Sequence, residues 1–393
     1  MNDTIAAIST ALGVGAISIV RMSGKDSISI ANSIFSGKDL EKVATHTINY
    51  GFIKDNEEVI DEVLVSVMKA PHTYTTEDIV EINCHGGITT TNKVLETLLK
   101  HGARLAEPGE FTKRAFLNGR IDLTKSEAVM DLLESKTESA RKLAINSLQG
   151  KTALLVDNFR DKIKQLISSI EVNIDYPEYY DIEVVTLEKI KEETASMKQE
   201  LETIIKESEN SKIIKNGIDT LIIGRPNVGK SSILNKFLDE EKAIVTDIAG
   251  TTRDIVEGQV MLDNIVLNII DTAGIRQTED KVEKIGVEKS LSLIDKADLI
   301  IVVLNSNEKL TLEDKELLEK TKNKNTIVVL NKNDLERNIE LDKLEDYTLV
   351  STNTNDLEGI DTLKDKIKEM FNLEQISTKD YNYLTNVRQI SLA

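Results

Sequence analysis

Short apolar runs rich in β-branched residues, with few long helical stretches, characterise the first 119 residues. They predict several strands and one hairpin, whose two strands flank the polar residues 55–58. The predicted strands are 16–21, 45–54, 59–68 and 79–83, and the predicted helices are 26–35 and 90–101. Residues 1–119 are therefore predicted to form an α+β domain.

The pattern becomes helical from residue 120 to about residue 215. Apolar residues recur there at spacings of three and four, which places them on one face of a helix. The predicted helices are 126–153, 155–172 and 187–208, with a break at the proline-containing segment 176–180. This region is predicted to be the first part of a charge-rich helical bundle.

Residues 216–378 have the pattern of an α/β domain, in which apolar runs end in polar loops. The runs 218–223, 265–270, 326–330 and 347–350 predict strands, and 232–238 has helical spacing. Residues 379–393 are predicted to return to helix. The chain is thus predicted to be a multidomain α+β and α/β protein, with an N-terminal α+β domain, a helical bundle and an α/β domain.

Composition narrows the class of protein. A length of 393 residues allows two or three domains, and no apolar run or signal-peptide pattern indicates a membrane span or secretion, so a cytoplasmic location is predicted. The single cysteine, Cys84, excludes an intramolecular disulfide and a multi-cysteine zinc site. A formal charge of −18 argues against a generally basic nucleic-acid surface, so any RNA contact is local or supplied by a partner.

Residues 224–231 match the phosphate-binding pattern G-x-x-x-x-G-K-[ST] between a predicted strand and a predicted helix. Two glycines let backbone N–H groups curl around a polyphosphate, Lys230 can reach the outer phosphates, and the Ser231 hydroxyl can bind Mg²⁺. The candidate ligands in this loop are Asn227, Val228, Gly229, Lys230, Ser231 and Ser232. The loop predicts that the protein binds a nucleoside triphosphate.

Three later motifs follow in the order found in GTPases. They are Asp271-Thr272-Ala273-Gly274 after one predicted strand, Asn331-Lys332-Asn333-Asp334 after the next, and Ser351-Thr352-Asn353, which are predicted to contact the base. Asp334 can accept two hydrogen bonds from the N1–H and amine of guanine. Adenine offers no such pair of donors, and an unpaired buried carboxylate is costly, so the predicted nucleotide is GTP. The α/β domain over 216–378 is therefore predicted to be a P-loop (Ras-like) GTPase domain.

Charged segments in the first domain have two interpretations. Residues 71–78 with Glu81, and residues 107–120, concentrate carboxylates and basic groups around phenylalanines. The simpler interpretation is a solvated, salt-bridged surface, and the alternative is a ligand site. Cys84 is predicted to be an inert buried thiol, and His85 a hydrogen-bonded turn residue.

Four stretches, 15–24, 74–87, 108–123 and 246–254, resemble the tRNA uridine-modification GTPase family MnmE, also called TrmE. The resemblance implies an N-terminal domain (1–119) that dimerises and binds a tetrahydrofolate derivative, 5-formyl or 5,10-methylene. It also implies a helical domain (120–215 and 379–393) interrupted by a GTPase domain (216–378). The implied folate ligands are Arg21, Glu81 and Arg120. These suit a folate, since arginines bind glutamyl carboxylates and a carboxylate accepts from a pterin donor edge.

The resemblance also implies a partner and a substrate. Members of the family work with the FAD-containing MnmG (GidA) protein in a heterotetramer. Together they install an aminomethyl or carboxymethylaminomethyl group at carbon 5 of the wobble uridine, U34, of certain tRNAs, with the folate as one-carbon donor. The family sequence usually ends in Cys-x-Gly-Lys, which is absent before Ala393, so a truncated chain or a variant without this element is expected.

For hydrolysis, the resemblance implies a cation in place of an arginine finger. Ile275 stands where Ras-like enzymes carry a water-orienting glutamine, and the resemblance assigns that task to Glu283. Asn227 and backbone oxygens of Thr246, Ile248 and Thr251 would bind K⁺, while Thr252 and Ser231 would bind Mg²⁺. The loop implied to contact GTP beside these cations consists of Thr246, Asp247, Ile248, Ala249, Gly250, Thr251 and Thr252.

The alternative function is an RNA-binding GTPase that acts as a switch in ribosome assembly. Such proteins share the nucleotide motifs but usually carry a basic RNA-binding appendage, which the acidic composition disfavours. A folate-binding scaffold without turnover would require broken nucleotide motifs, and the motifs here are intact.

Overall fold

The computed structural model describes residues 3–176, 186–240, 256–270, 293–353 and 358–373. The chain divides into two compact units, Met1–Glu127 and Ala128–Ala393. The predicted domain boundaries at 119, 215 and 378 subdivide the chain more finely than this, and they stay predictions.

The described part of the first unit is a seven-stranded sheet with three helices. The strands are β1 (Ile5–Ile8), β2 (Ile17–Ser23), β3 (Phe35–Ser36), β4 (Thr47–Asp55), β5 (Glu58–Met68), β6 (Ile79–His85) and β7 (Arg104–Leu105). The helices are α1 (Ser27–Ile34), α2 (Ile88–Lys100) and α3 (Glu110–Leu117). The order β3-β4-β5-β6-β2-β1-β7 is antiparallel except for the parallel pair β1–β7. The predicted strands, hairpin and helices are confirmed.

One face of this sheet packs against the main hydrophobic core of the unit. Alternate residues of β2 and β5, such as Val20 and Val65, are fully buried in a core with Val94 and Leu98 of α2. Burying each such side chain contributes roughly 1.5–3 kcal/mol, which fixes the strand register because a one-residue slip would expose them all. The residues between them therefore belong to the other face, which carries the candidate ligands Arg21 and Glu81.

Four helices follow: α4 (Leu123–Glu134), α5 (Glu138–Leu148), α6 (Lys151–Asp175) and α7 (Leu187–Asn216). The predicted single helix over 126–153 is wrong, because the chain breaks twice within it. Thr137 caps α5 by accepting a hydrogen bond from the Ala140 N–H at 3.1 Å. Gly150 adopts a left-handed conformation (φ 84°) that ends the turn before α6. The predicted helices 155–172 and 187–208 are confirmed within α6 and α7.

The described part of the second unit contains a six-stranded sheet. Its strands are β8 (Ile218–Ile223), β9 (Val256–Leu262), β10 (Ile265–Ile270), β11 (Leu299–Asn305), β12 (Thr326–Asn331) and β13 (Thr348–Ser351). The order β13-β12-β11-β8-β10-β9 is parallel except for β9. The helices are α8 (Lys230–Glu240), α9 (Leu312–Thr321) and α10 (Glu358–Met370). The four predicted strands and the predicted helix are confirmed.

Cores on both faces of this sheet explain the continuous apolar runs of its central strands. Residues of β11 divide between two buried clusters, Leu299 in one and Ile300 in the other. The strands are parallel, so their carboxyl ends share one edge, where loops can form a ligand site. In the described ranges, no helix combines the length and apolarity needed to cross a bilayer.

Candidate functional sites

The phosphate loop connects β8 to α8, as the sequence predicts. Gly224 has φ 152°, and a Cβ atom there would lie 2.4 Å from the Val303 carbonyl oxygen, so only glycine fits. Gly229 has φ 101° and Asn227 has φ 63°, both in the left-handed region. This backbone presents successive N–H groups beside the amino end of α8, which is the geometry that binds phosphates.

Lys230 points its ammonium group back across the loop. Nζ donates hydrogen bonds to the carbonyl oxygens of Gly224 (2.7 Å) and Arg225 (2.8 Å). Partial burial lowers the pKa of Lys230. Val228 is buried, whereas Asn227, Ser231 and Ser232 are exposed. The lysine is therefore held over the loop, with the candidate cation ligands Asn227 and Ser231 on the accessible side.

Asn331 joins the phosphate loop to the predicted base-recognition loops. It is buried, and its Nδ2 donates to the Val228 carbonyl oxygen at 2.8 Å. Its Oδ1 accepts from the Thr352 hydroxyl at 3.3 Å, and the Asn333 N–H donates to the Thr352 carbonyl oxygen at 3.3 Å. The three motifs therefore meet at the carboxyl edge of the sheet.

The remaining base-recognition candidates occupy that edge with different exposures. Lys332 has a left-handed φ of 60°, and its carbonyl oxygen accepts from the Ser306 hydroxyl at 2.9 Å. Asp334 and Ser351 are exposed, and Asn353 is half-buried. Thr352 is 2% exposed, so its hydroxyl braces Asn331 inside the protein. An exposed Asp334 carboxylate is available to accept hydrogen bonds from a base.

Several predicted nucleotide residues lie outside the described residues. They are Thr246, Asp247, Ile248, Ala249, Gly250, Thr251, Thr252, Asp271, Thr272, Ala273, Gly274 and Glu283. β10 ends at Ile270, so the first residue of the second motif directly follows a strand, as predicted. The roles of these residues stay predictions.

In the first unit, Arg21 and Glu81 face each other across β2 and β6. Arg21 Nε donates to Glu81 Oε1 at 2.7 Å, and both side chains are partly accessible, at 30% and 21%. The Arg21 guanidinium lies 5.7 Å from the centre of the Phe111 ring, on α3. Sequence reasoning missed Phe111, although its segment was conspicuous for holding two phenylalanines.

Arg120 reaches the same helix by way of Tyr74. Its guanidinium lies 5.0 Å from the centre of the Tyr74 ring, and its Nη1 donates to the Tyr74 carbonyl oxygen at 3.2 Å. The Tyr74 hydroxyl hydrogen-bonds the Thr112 hydroxyl at 2.9 Å, next to Phe111 in the chain. The structure thus pairs Arg21 with Glu81 and connects Arg120 to α3 through Tyr74 and Thr112.

The salt-bridged surface predicted for residues 107–120 is wrong for Glu110 and Arg114, which are 3% and 1% exposed. Arg114 lies among three carboxylates, with nitrogen–oxygen distances of 2.9 Å to Asp3, 3.1 Å to Glu77 and 3.2 Å to Glu110. The buried network ties the amino end of β1 and the segment before β6 to α3. It therefore supports the helix that carries Phe111 and Thr112.

The network shifts the pKa of Glu110 to about 2. The largest cause is the hydrogen bond from Arg104, with further bonds from the Glu107 N–H and Arg114, and these outweigh burial. A carboxyl group with a lowered folded-state pKa adds stability above its unfolded value, about 4.5, and loses it as the pH falls toward 2. The first unit should therefore lose stability in acid over that range.

Replacing Arg114 with methionine is expected to destabilise the first unit by about 3 kcal/mol, because half-buried Glu77 would lose its arginine partner and buried Glu110 would keep only Arg104. Cys84, the only thiol, is 2% exposed in the core of this unit, and burial raises its pKa. A thiol reagent can therefore label Cys84 in the native chain only when this unit opens, and the labelling rate measures that opening. Arg114→Met should raise that rate by roughly two orders of magnitude.

The matched control is Lys42→Met, which removes an exposed ion pair with Asp39 in the same unit. It should change the labelling rate less than about twofold. Equal labelling of the Arg114 variant and the control would contradict a stabilising role for the network.

Cys84 is buried and His85 is hydrogen-bonded, as predicted, but His85 ends a strand rather than lying in a turn. Cys84 is buried, and His85 is an exposed residue at the end of β6 whose Nδ1 lies 2.7 Å from Asp61 Oδ1. The Asp61 hydrogen bond raises the pKa of His85. These contacts give His85 a structural partner rather than a ligand.

Comparison with known proteins found family matches for both parts of the chain. Residues 4–120 match the model "GTP-binding protein TrmE N-terminus", and residues 123–393 match "MnmE helical domain". The chain is 53% identical over 397 residues to the tRNA modification GTPase MnmE of Ligilactobacillus salivarius, covering 99% of this chain and 85% of that protein. It is 54% identical over 392 residues to the protein of that name from Streptococcus thermophilus, covering 99% and 86%.

Among solved structures, the G domain of the T. maritima FeoB iron transporter is 27% identical, covering 39% of this chain and 98% of that one, with a TM-score of 0.29. Era in complex with MgGDPNP and part of 16S ribosomal RNA is 28% identical, covering 39% and 56%, with a TM-score of 0.30. The two family models and the relatives at more than 50% identity agree over nearly the whole chain. The chain therefore belongs to the MnmE family of tRNA modification GTPases.

Proposed function

We propose that this protein hydrolyses GTP and takes part in tRNA modification. The observation that carries the proposal is the phosphate loop at residues 224–231, joined through buried Asn331 to the loop that holds Asp334. A loop of this shape binds a polyphosphate, and an exposed carboxylate at the sheet edge can select guanine. The names of the relatives at more than 50% identity support the same activity over a ribosome-assembly switch.

Magnesium would bind beside the phosphate loop. The Ser231 hydroxyl is exposed at the first turn of α8, next to Lys230, and oxygen ligands suit this cation. Thr252 is the proposed second ligand and lies outside the described residues. Bound there, Mg²⁺ would neutralise phosphate charge, while Lys230 and the loop amides would hold and orient the nucleotide.

Potassium is the proposed second cation. Asn227 is exposed in the loop, and its left-handed backbone (φ 63°) places it in the turn just before Gly229 and Lys230. Its amide oxygen is a chemically suitable ligand, with backbone oxygens of Thr246, Ile248 and Thr251 as the others. The cation would supply positive charge at the phosphates, and Glu283 would orient the attacking water.

A tetrahydrofolate derivative is the proposed ligand of the first unit. Glu81 accepts from Arg21 through Oε1, and Oε2 is then the acceptor for the donor edge of a pterin ring. Phe111 and Tyr74 supply aromatic faces beside Arg21 and Arg120, whose guanidinium groups suit the glutamyl carboxylates of a folate. A partly accessible ion pair and a second arginine, each beside an aromatic ring, support a ligand site more than a solvated surface.

Replacing Arg120 with alanine is expected to weaken binding of 5-formyltetrahydrofolate by about tenfold or more, because a charge-assisted contact is lost. Titration calorimetry on the whole chain measures this, and GTP hydrolysis should be nearly unchanged. The matched control is Lys113→Ala, which removes an exposed cation from the same segment, 3.7 Å from Glu107. Equal affinities of the two variants for 5-formyltetrahydrofolate would show that Arg120 is a surface residue and not a folate ligand.

The exposed surface of β4 and β5, on the face opposite the core, is the proposed dimer surface. Ile48, Tyr50 and Leu64 are 68%, 59% and 45% exposed, and Tyr50 pairs directly with Leu64 across β4 and β5. Contiguous apolar side chains of this kind mark protein interfaces, and a second copy of this chain is the proposed partner. Sedimentation equilibrium that finds only monomers at micromolar concentration would contradict this proposal.

The proposed reaction needs an FAD-containing partner of the MnmG type and a tRNA. With them, the chain would contribute to a 5-carboxymethylaminomethyl or aminomethyl group on the wobble uridine, the folate supplying one carbon. Nucleoside mass spectrometry of tRNA from a bacterium lacking its own family member tests this role. Expression of this chain should restore the modified uridine, and tRNA that stays unmodified would contradict the proposal.

A further inference from the structure

Arg225, the second residue of the phosphate loop, is held by two carboxylates from the segment between β11 and α9. Its Nε donates to Asp314 Oδ1 at 2.9 Å, and its Nη2 donates to Glu308 Oε2 at 2.9 Å. The Arg225 side chain is 20% exposed, so it lies against the protein rather than in solvent. A solvent-facing loop residue would not need two separate anionic partners.

Both carboxylates are themselves fixed. Asp314 is 2% exposed and caps its own helix, with Oδ2 accepting from the N–H and hydroxyl of Thr311 at 3.0 and 2.8 Å. Glu308 Oε1 accepts from Asn305 Nδ2 at 2.8 Å, at the end of β11. The hydrogen bond from Arg225, followed by that from Asn305, lowers the pKa of Glu308. Arg225 therefore contacts a rigid part of the domain.

The main chain of Arg225 in turn contacts Lys230, the residue proposed to bind the outer phosphates. Lys230 Nζ donates to the carbonyl oxygens of Gly224 and Arg225. Any rotation of the peptide at Arg225 would move one of the two acceptors that aim this ammonium group. The other known support of the loop, Asn331, acts three residues later, on Val228.

We propose that Arg225 is a positioning residue for Lys230, fixing the carbonyl oxygen that aims the lysine at the outer phosphates of the nucleotide. This inference rests on the proposed GTP function. Asp314 and Glu308 fix the Arg225 guanidinium by hydrogen bonds. The fixed side chain restrains the Arg225 main chain, whose carbonyl oxygen accepts a hydrogen bond from the Lys230 ammonium group. The effect should therefore be confined to nucleotides that carry the phosphates Lys230 touches.

Arg225→Ala is expected to weaken GDP binding by about tenfold, the scale of one lost charge-assisted contact. Displacement of a fluorescent GDP analogue from the whole chain measures this. Competition by GMP should change less than twofold, because a single phosphate does not reach Lys230. A variant that is merely destabilised would lose both nucleotides alike. Lys322→Ala, which removes an exposed pair with Asp346 in the same domain, is the control and should change neither.

A double-mutant cycle tests the route through Lys230. In a Lys230→Ala background, Arg225→Ala should have less than a twofold further effect, because the lysine it positions is gone. A full tenfold effect in both backgrounds would overturn the proposal. If Arg225→Ala does not fold, Glu308→Ala removes one of the two contacts at an exposed carboxylate, and an unchanged GDP-to-GMP ratio there would also overturn it. A native chain that binds no GDP would instead contradict the proposed function.

Discussion

GTP hydrolysis by this protein is expected to run at least about ten times faster in K⁺ than in Na⁺ at matched ionic strength, and by no more than the effect of an arginine finger, about 10³- to 10⁵-fold. The apolar Ile275 follows the second nucleotide motif and cannot orient water. A monovalent cation held beside the phosphates would supply the missing positive charge. Initial rates of phosphate release in the two chlorides, with Mg²⁺ constant, measure the effect.

Variants of Asn227 separate the cation ligand from the backbone. Asn227→Ala removes the amide oxygen but also places alanine at a φ of 63°, which strains the loop. Asn227→Gly removes the same oxygen without strain, and Asn227→Asp keeps an oxygen ligand. Both the alanine and the glycine variants should lose the K⁺ advantage while still binding GDP through Lys230 and the loop amides, and the aspartate variant should retain part of it. Equal rates in K⁺ and Na⁺ for the native chain would contradict the cation mechanism and leave the GTPase assignment standing.

Asp334→Asn is expected to change the preference between GTP and xanthosine triphosphate by roughly a thousandfold in favour of the latter. The carboxylate offers two acceptors to the N1–H and amine of guanine. An amide offers one acceptor and one donor, which suits xanthine, where a carbonyl replaces the amine. Competition of both triphosphates against a fluorescent guanine nucleotide gives the two affinities for each variant.

Asp346→Asn is the matched control, since it removes an exposed carboxylate paired with Lys322 in the same domain. It should leave both affinities unaltered. If Asp334→Asn keeps the native preference for GTP, the base pocket lies elsewhere and the guanine assignment is wrong.

Local signals predicted the nucleotide domain well. The apolar run of β8, the glycines of the loop and the lysine that begins α8 are consecutive, so neither strand pairing nor tertiary contact was needed to locate them. The helical region was harder, because amphipathic spacing continues across Thr137 and Gly150. A cap and one left-handed glycine end helices there without interrupting the apolar pattern.

In the first unit, the contacts that could not be predicted from the sequence join residues that are far apart in the chain. Arg21 and Glu81 are 60 residues apart, and their contact depends on the exact register of β2 against β6. Arg114 looked like a surface residue because its segment alternates in charge. Its partner Asp3 lies 111 residues away, and no local pattern indicates that such a distant carboxylate closes a buried network around it.

Hydrolysis of GTP by this chain is expected to depend on the loop at residues 224–231. Its most direct test is the initial rate of phosphate release from GTP and from ATP, in KCl and MgCl₂, for the native chain and for Lys230→Ala. The native chain should turn over GTP and should not turn over ATP above background, and Lys230→Ala should lose GTP turnover. Equal turnover of the two nucleotides, or a fully active Lys230→Ala, would contradict it.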